Sequence, residues 1–170
     1  MFLGDRWFPI LLHRTEMIDK TTVENLVKEK LDDDMFIVDI SVSKSNVIHV
    51  FVDGYNGITI EQCIAISRNV EHNLDREEED FELQVSSPGL TESFKVFEQY
   101  KKYTGRNIEI VTEEDEKLEG LLKVADENGI ILETSKREKV EGHKKKQLVI
   151  KDYKFKYNEI KSAKAVISFK

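Results

Sequence analysis

The side chains able to do chemistry lie far apart along this sequence. His13, His49, His72 and His143 stand in four different segments, without the spacing of metal ligands. Cys63 is the one cysteine, so neither an internal disulfide nor a thiolate zinc cluster can form. It falls within an apolar helical stripe and reads as a core thiol rather than a nucleophile. Ser86 and Ser87 have no nucleophile elbow around them, and no Walker or dinucleotide glycine spacing is present. The two glycines of Asp53-Gly54-Tyr55-Asn56-Gly57 read as a plain turn-rich connection rather than a phosphate cradle. Asp32-Asp33-Asp34, at the exit of a helix, reads as a solvated turn rather than a metal site. The expectation is a protein without catalysis, metal or cofactor. A small hydrolase would require a carboxylate or histidine carried into a cleft by the fold.

One cluster of like charge stands out. Lys136, Arg137, Lys139, Lys144, Lys145 and Lys146 lie in the polar stretch 135–147. Each cation could meet a phosphate, giving salt-dependent and sequence-tolerant contact with RNA. A solvated, mobile surface loop is the simpler reading. Tyr153, Phe155 and Tyr157 alternate with Lys154 and Lys156, a stacking face for RNA or, more simply, one inward-facing row of a strand. The overall charge of −7 counts against broad nucleic-acid binding. That charge is unevenly spread: residues 17–90 hold 6 basic and 16 acidic side chains, and residues 91–170 hold 18 and 15. The shift from −10 to +3 supports a boundary near Pro88.

The elements around these residues follow from periodicity. Thr21, with Glu24 three residues on, reads as a capping box opening a helix whose stripe is Val23, Leu26, Val27 and Leu31. From Phe36 the period becomes two, with Phe36, Val38, Ile40 and Val42 on one face. Ile48, Val50 and Val52 repeat it after the turn Lys44-Ser45-Asn46, which makes a β-hairpin. Thr59 and Gln62 form a second capping box, ahead of a helix with Ile60, Cys63, Ile64, Val70 and Leu74 on one face. Phe81, Leu83 and Val85 alternate with polar neighbours and end at Ser86-Ser87-Pro88-Gly89, where proline removes a donor and glycine can take positive φ. This first half is an α-β-β-α-β unit. After it come a short helix that starts at Phe94, carries Phe97 and Tyr100 and closes near Thr104-Gly105, and five strands: Asn107–Thr112, Leu118–Val124, Ile130–Thr134, Leu148–Phe155 and Ala163–Phe169. A one-turn 3₁₀ piece at Asn158–Ile160 precedes the last. Five short strands in so few residues suggest a small barrel, since closure removes exposed edges.

The division expected is therefore a segment 1–16, an αβ domain over 17–90 and a barrel domain over 91–170. The segment 1–16 gathers Phe2, Leu3, Trp7, Phe8, Ile10, Leu11 and Leu12 around Pro9, without a basic leader, so it fits a signal peptide poorly. It reads as an upstream-start artefact or a loosely attached arm ahead of Met17. No apolar run approaches the ~20 residues that span a bilayer, and the cytoplasm is the expected compartment.

Taken together, Val85-Ser86-Ser87-Pro88-Gly89-Leu90, Ile58-Thr59-Ile60-Glu61-Gln62-Cys63 with Ser67-Arg68, Asp53-Gly54 and Gly105-Arg106 resemble the bacterial ribosome maturation factor RimP family. The resemblance runs from about Asp19 to Phe169. Ser86, Ser87, Pro88 and Gly89 match the family signature at the join of its two domains, but the chain continues Thr91-Glu92-Ser93-Phe94 where relatives commonly have Asp-Arg-Pro-Leu. The resemblance implies an α+β architecture, an αβ domain followed by an SH3-like barrel, and a non-catalytic role in assembling the small (30S) ribosomal subunit. It also implies contact with small-subunit protein twelve, chiefly through the barrel, and with the small-subunit precursor. Ribosomal RNA is a further expected contact of the Lys-rich stretch; membrane and DNA are not. A freestanding RNA-binding module is the alternative.

Overall fold

The computed structural model describes residues 18–167. The expectation for 1–16, and the end of the last expected strand, lie outside them. Helix α1, Lys20–Lys28, is capped earlier than expected. Asp19, not Thr21, is its N-cap, because its carboxylate reaches both Thr22 N–H and the Thr22 hydroxyl at 3.3 Å. Val23 and Val27 are fully buried. Strands β1 (Met35–Val42) and β2 (Val47–Gly54) form the antiparallel hairpin, with a register shift between Ile37 and Asp39. Asn46 turns the hairpin at φ 56°, a left-handed conformation that asparagine tolerates well. At the opposite end of the hairpin, Asp34 Oδ1 accepts from Asn56 Nδ2 at 2.8 Å, fastening the loop after β2.

Helix α2, Ile60–Asn73, opens with the capping box of Thr59 and Gln62. Thr59 N–H donates to Gln62 Oε1 at 2.8 Å, and Gln62 N–H donates back to Thr59 Oγ1 at 3.2 Å. Its buried face differs from the expected one. Ile66 and Val70 are fully enclosed with Cys63 and Leu74 packed beside them, whereas Ile60 is 76% exposed and Ile64 43% exposed. Positions 63, 66, 70 and 74 step by three and four and share a narrow stripe; 60 and 64 sit on its flank. Strand β3, Glu82–Ser86, then pairs parallel with β2 and completes a three-stranded sheet, β1-β2-β3. Its core joins Ile40, Ile48, Val50, Val52, Ile66, Val70 and Phe81 with both α1 valines. The α-β-β-α-β order stands as expected.

Beyond Ser86-Ser87-Pro88-Gly89, the elbow between the two sheets, helix α3 spans Phe97–Lys102, starting later than Phe94 and ending before Thr104. Strands β4 (Asn107–Thr112), β5 (Lys117–Asp126), β6 (Gly129–Glu138), β7 (Gln147–Phe155) and β8 (Ile160–Ala165) follow. A 3₁₀ turn at Tyr157–Glu159 leads into β8. All pair antiparallel in the order β7-β6-β5-β4-β8. The chain's first and last strands of this sheet are thus neighbours. No β7–β8 pairing joins its edges among the described residues, so the expected closure is not seen. Instead β6 and β7 run on together, far past the core. The polar loop narrows to 139–146 as a result, and Lys136 and Arg137 stand on a strand.

The second core gathers Tyr100, Ile108, Ile110, Leu122, Ile130, Leu132, Ile160 and Ala163, with Phe94, Tyr103, Phe155 and Tyr157 against it. The aromatic row divides accordingly: Phe155 and Tyr157 pack on this core while Tyr153, 37% exposed, stays off it. Tyr157 stands edge-on to Tyr100 at 5.2 Å, and its hydroxyl donates to the Asp126 carbonyl at 2.6 Å. Burial first, then Tyr100 and Asp126, pushes the Tyr157 phenol up to about 12. The raised value favours the neutral phenol in the fold. Its contribution to stability is complete below the unfolded value of about 10 and is lost as pH climbs through about 12. Thermal melts of the wild type are expected to fall more steeply across that window than melts of Tyr157→Phe. Parallel profiles would contradict this.

Candidate functional site

Two places assemble side chains that local pattern alone leaves apart. The first is the seam between the two sheets. Ser86 ends β3, and Ser87, Pro88 and Gly89 carry the chain across to α3. Ser86, Ser87 and Gly89 are exposed and Pro88 is half-buried. Gly89 does not use the left-handed region open to it; its carbonyl accepts from Glu92 N–H at 3.0 Å, making a turn. Gln99, buried in α3, folds its side chain back so that Oε1 accepts from Lys95 N–H at 2.6 Å and Val96 N–H at 3.2 Å. That cap fixes the start of a six-residue helix whose own hydrogen bonds are few.

Helix α3 and the residues just before it in turn present cations to the acidic first sheet. Lys102 Nζ donates to both carboxylate oxygens of Asp53 at 2.9 and 2.8 Å. The two side chains keep only 12% and 10% of their surface. Lys95 reaches Asp39 at 2.7 Å, and the Lys95 hydrogen bond holds the Asp39 carboxyl below its usual value. Lys101 lies over the Tyr55 ring, 5.8 Å from its centroid. Beside Asp53 and Lys102, the signature residues Ser87, Pro88 and Gly89 line a small cavity of about 160 Å³ with Phe94 and Tyr103. The seam is thus an electrostatic clasp next to the elbow. With both carboxylate oxygens of Asp53 held by one ammonium, the arrangement ties α3 to the end of β2 beside a cavity smaller than an ordinary ligand pocket.

Sequence pattern puts Asp53 in a connecting turn and does not single out Lys102. The pair is 49 residues apart, and only the position of Asp53 at a strand end beside glycine hints at a special use.

The second place is the ribbon made by β6 and β7. Lys136 and Arg137 lie on β6, opposite Val149 and Leu148 of β7, while Lys139 and Lys144, Lys145 and Lys146 lie in the connecting loop. All six are exposed. Among the described residues none of them is paired with a carboxylate; the ion pair at this end of the ribbon joins Lys151 to Glu138 at 3.7 Å. Leu148 and Ile150, both more than half exposed, lie between them on the outer strand. The cations share one projecting tip, but the serine-proline-glycine elbow is not part of it.

Among the described residues, no group of three histidine, cysteine or acidic side chains converges for a metal ion. No helix among them is long and apolar enough to cross a membrane.

Comparison with known proteins agrees with the architecture. The family model for the RimP N-terminal domain matches residues 22–91, which covers most of α1, all of the three-stranded sheet and the elbow. Ribosome maturation factor RimP of Christiangramia forsetii is 39% identical over 152 residues, 88% of this chain and 99% of the relative. The protein of the same name from Flavobacterium psychrophilum is 37% identical across 90% of this chain and 100% of its own length. That of Porphyromonas gingivalis is 31% identical across 89% and 100%. With relatives of 31–39% identity spanning nearly nine tenths of its length, the chain belongs to the ribosome maturation factor RimP family.

Proposed function

We propose that this chain is a non-catalytic assembly factor of the small ribosomal subunit, working in the cytoplasm. In this reading it binds a basic small-subunit protein, protein twelve, through the C-terminal half, and touches ribosomal RNA of the precursor with the β6–β7 ribbon. It falls into two folding units, 17–90 and 91–170, joined at Ser86-Ser87-Pro88-Gly89. Two separate hydrophobic cores, one under each sheet, support that division. Five consecutive antiparallel strands with β4 seated between β5 and β8 support a strongly curled, SH3-like arrangement for the second unit.

The observation that carries the reading is the ribbon: six exposed cations projecting from a protein whose first half is strongly acidic. An acidic body attracts basic ribosomal proteins and repels bare RNA, so RNA contact is restricted to the tip and to an RNA already held in a particle. The charge asymmetry favours an assembly factor over a freestanding RNA-binding module.

Replacing Lys144, Lys145 and Lys146 together with glutamine tests the RNA contact. Every lysine–phosphate interaction removed lowers the slope of log affinity against log salt by ~0.7–0.9. Co-sedimentation of the full chain with immature small subunits is expected to show a slope smaller by about 2 to 3 in the triple variant. An unchanged slope would remove the RNA role of the loop. Wild-type binding to naked RNA as tight as to the particle would favour the freestanding module.

A further inference from the structure

We propose that the groove between α2 and the outer edge of β3 receives an extended, basic segment of a partner protein, which adds to the sheet as a fourth strand. Strand β3 pairs only with β2 among the described residues, so its other edge leaves backbone donors and acceptors open along Glu82–Ser86. Proteins normally blunt such an edge with lysine, proline or a covering loop. Residues 82–86 contain neither residue, and Pro88 comes only after the strand has ended.

A helix flanks the open edge and supplies an apolar wall. Ile58, Ile60, Cys63 and Ile64 face Leu83 and Val85 across a groove of about 550 Å³. Ile60 and Ile64 are the two residues of α2 that its pattern assigns to the core but that the fold turns outward. Main-chain pairing along one wall with alternate side chains packed on a helix is how sheet edges capture peptides. Five residues of strand extend roughly 17 Å, enough for five or six residues of partner.

Charge selects the occupant. Glu82 lies on the edge, Glu61 in the first turn of α2, and the tract Glu77–Asp80 stands at the strand's entrance. Arg76 is engaged by Glu71 at 3.2 Å and Asp80 at 3.8 Å, which leaves Arg68 as the other cation of this stretch. A second copy would bring the same acidic edge and repel itself. Residues 1–16 carry two acidic and two basic side chains, so they match the apolar wall but not the charge. A partner segment alternating apolar and basic residues matches both. The groove is separate from the C-terminal sheet and its ribbon, so this inference stands or falls apart from the assembly role above.

The test titrates the full chain with a blocked ten-residue peptide of alternating valine and lysine, following affinity by calorimetry and amide exchange by NMR. One-to-one binding is expected, with new protection confined to residues 82–87. Affinity should fall at least tenfold in Ile64→Ser, which removes the apolar contact without changing charge, and, independently, when the peptide is N-methylated at alternate residues. Ile64 is partly solvated, so the variant's melt should match the wild type; Ile60→Ser provides a second probe at a more exposed position. A valine–glutamate peptide should not bind. The proposal is overturned by absence of binding, or by binding indifferent to both variants and to N-methylation. Binding seen only after removal of residues 1–16 would place the chain's own segment in the groove. Self-association lost in Ile64→Ser would place a second copy there. Either result also overturns it.

Discussion

Replacing Lys102 with methionine is expected to destabilise the docked chain by about 3–5 kcal/mol, measured by urea unfolding at neutral pH. The physical reason lies in what remains. Asp53 is 7% exposed, and without the ammonium its carboxylate keeps one short partner, the N–H of Gly54 at 2.9 Å. A buried charge left without its counter-ion has lost solvation and received nothing in exchange. Asp53→Leu should cost a similar amount by stranding Lys102. The double variant, with an apolar pair of comparable volume, should recover a large part of the loss, since removing both charges also removes both desolvation penalties. Lys95→Met provides the contrast. Its pair with Asp39 is partly solvated on both sides, and exposed pairs contribute at most about 1 kcal/mol. Losses below about 1 kcal/mol in both Lys102→Met and Asp53→Leu would show that the clasp behaves as a surface pair and does not hold the halves together.

Truncating Leu132 to alanine should remove about 2–5 kcal/mol from the second unit, because the side chain is completely enclosed and β-strand neighbours relax little around the cavity. The informative part is where the loss does not spread. If residues 17–90 and 91–170 fold as separate units, native-state hydrogen exchange should show weakened protection in β4–β8. The amides of Val50, Val52 and Ile66 should hold theirs, apart from a contribution passing through the Asp53–Lys102 clasp. Uniform loss of protection across both sheets would mean a single cooperative unit and would withdraw the two-unit proposal.

Most of the architecture is legible because it is written in short periods. Alternation in Phe36–Val42 and Ile48–Val52 fixes a hairpin's buried face wherever the hairpin packs. The Thr59–Gln62 cap is local for the same reason. The failures have physical causes too. Asp19 displaces Thr21 because a carboxylate two residues upstream reaches the Thr22 amide. Pattern assigns Ile60 and Ile64 to the core because apolar character alone does not reveal which edge of a broad stripe the sheet leaves uncovered. The β6–β7 ribbon reads shorter in sequence, since Lys136 and Arg137 look like loop residues; cross-strand pairing, a long-range property, keeps them extended. No local signal joins Asp53 to Lys102 across 49 residues. Family resemblance makes the elbow recognisable, while the clasp beside it becomes visible only in three dimensions.

The most direct test of the central claim is calorimetric titration of the full chain with small-subunit protein twelve from the same organism, repeated across a salt series. An assembly factor with a shaped interface should bind it one to one and retain that binding at physiological salt, where exposed charges separated by more than about 8 Å are largely screened. Association that disappears over the same range would reduce the interaction to attraction between opposite net charges. Absence of binding both to this protein and to the immature small subunit would contradict the proposed function.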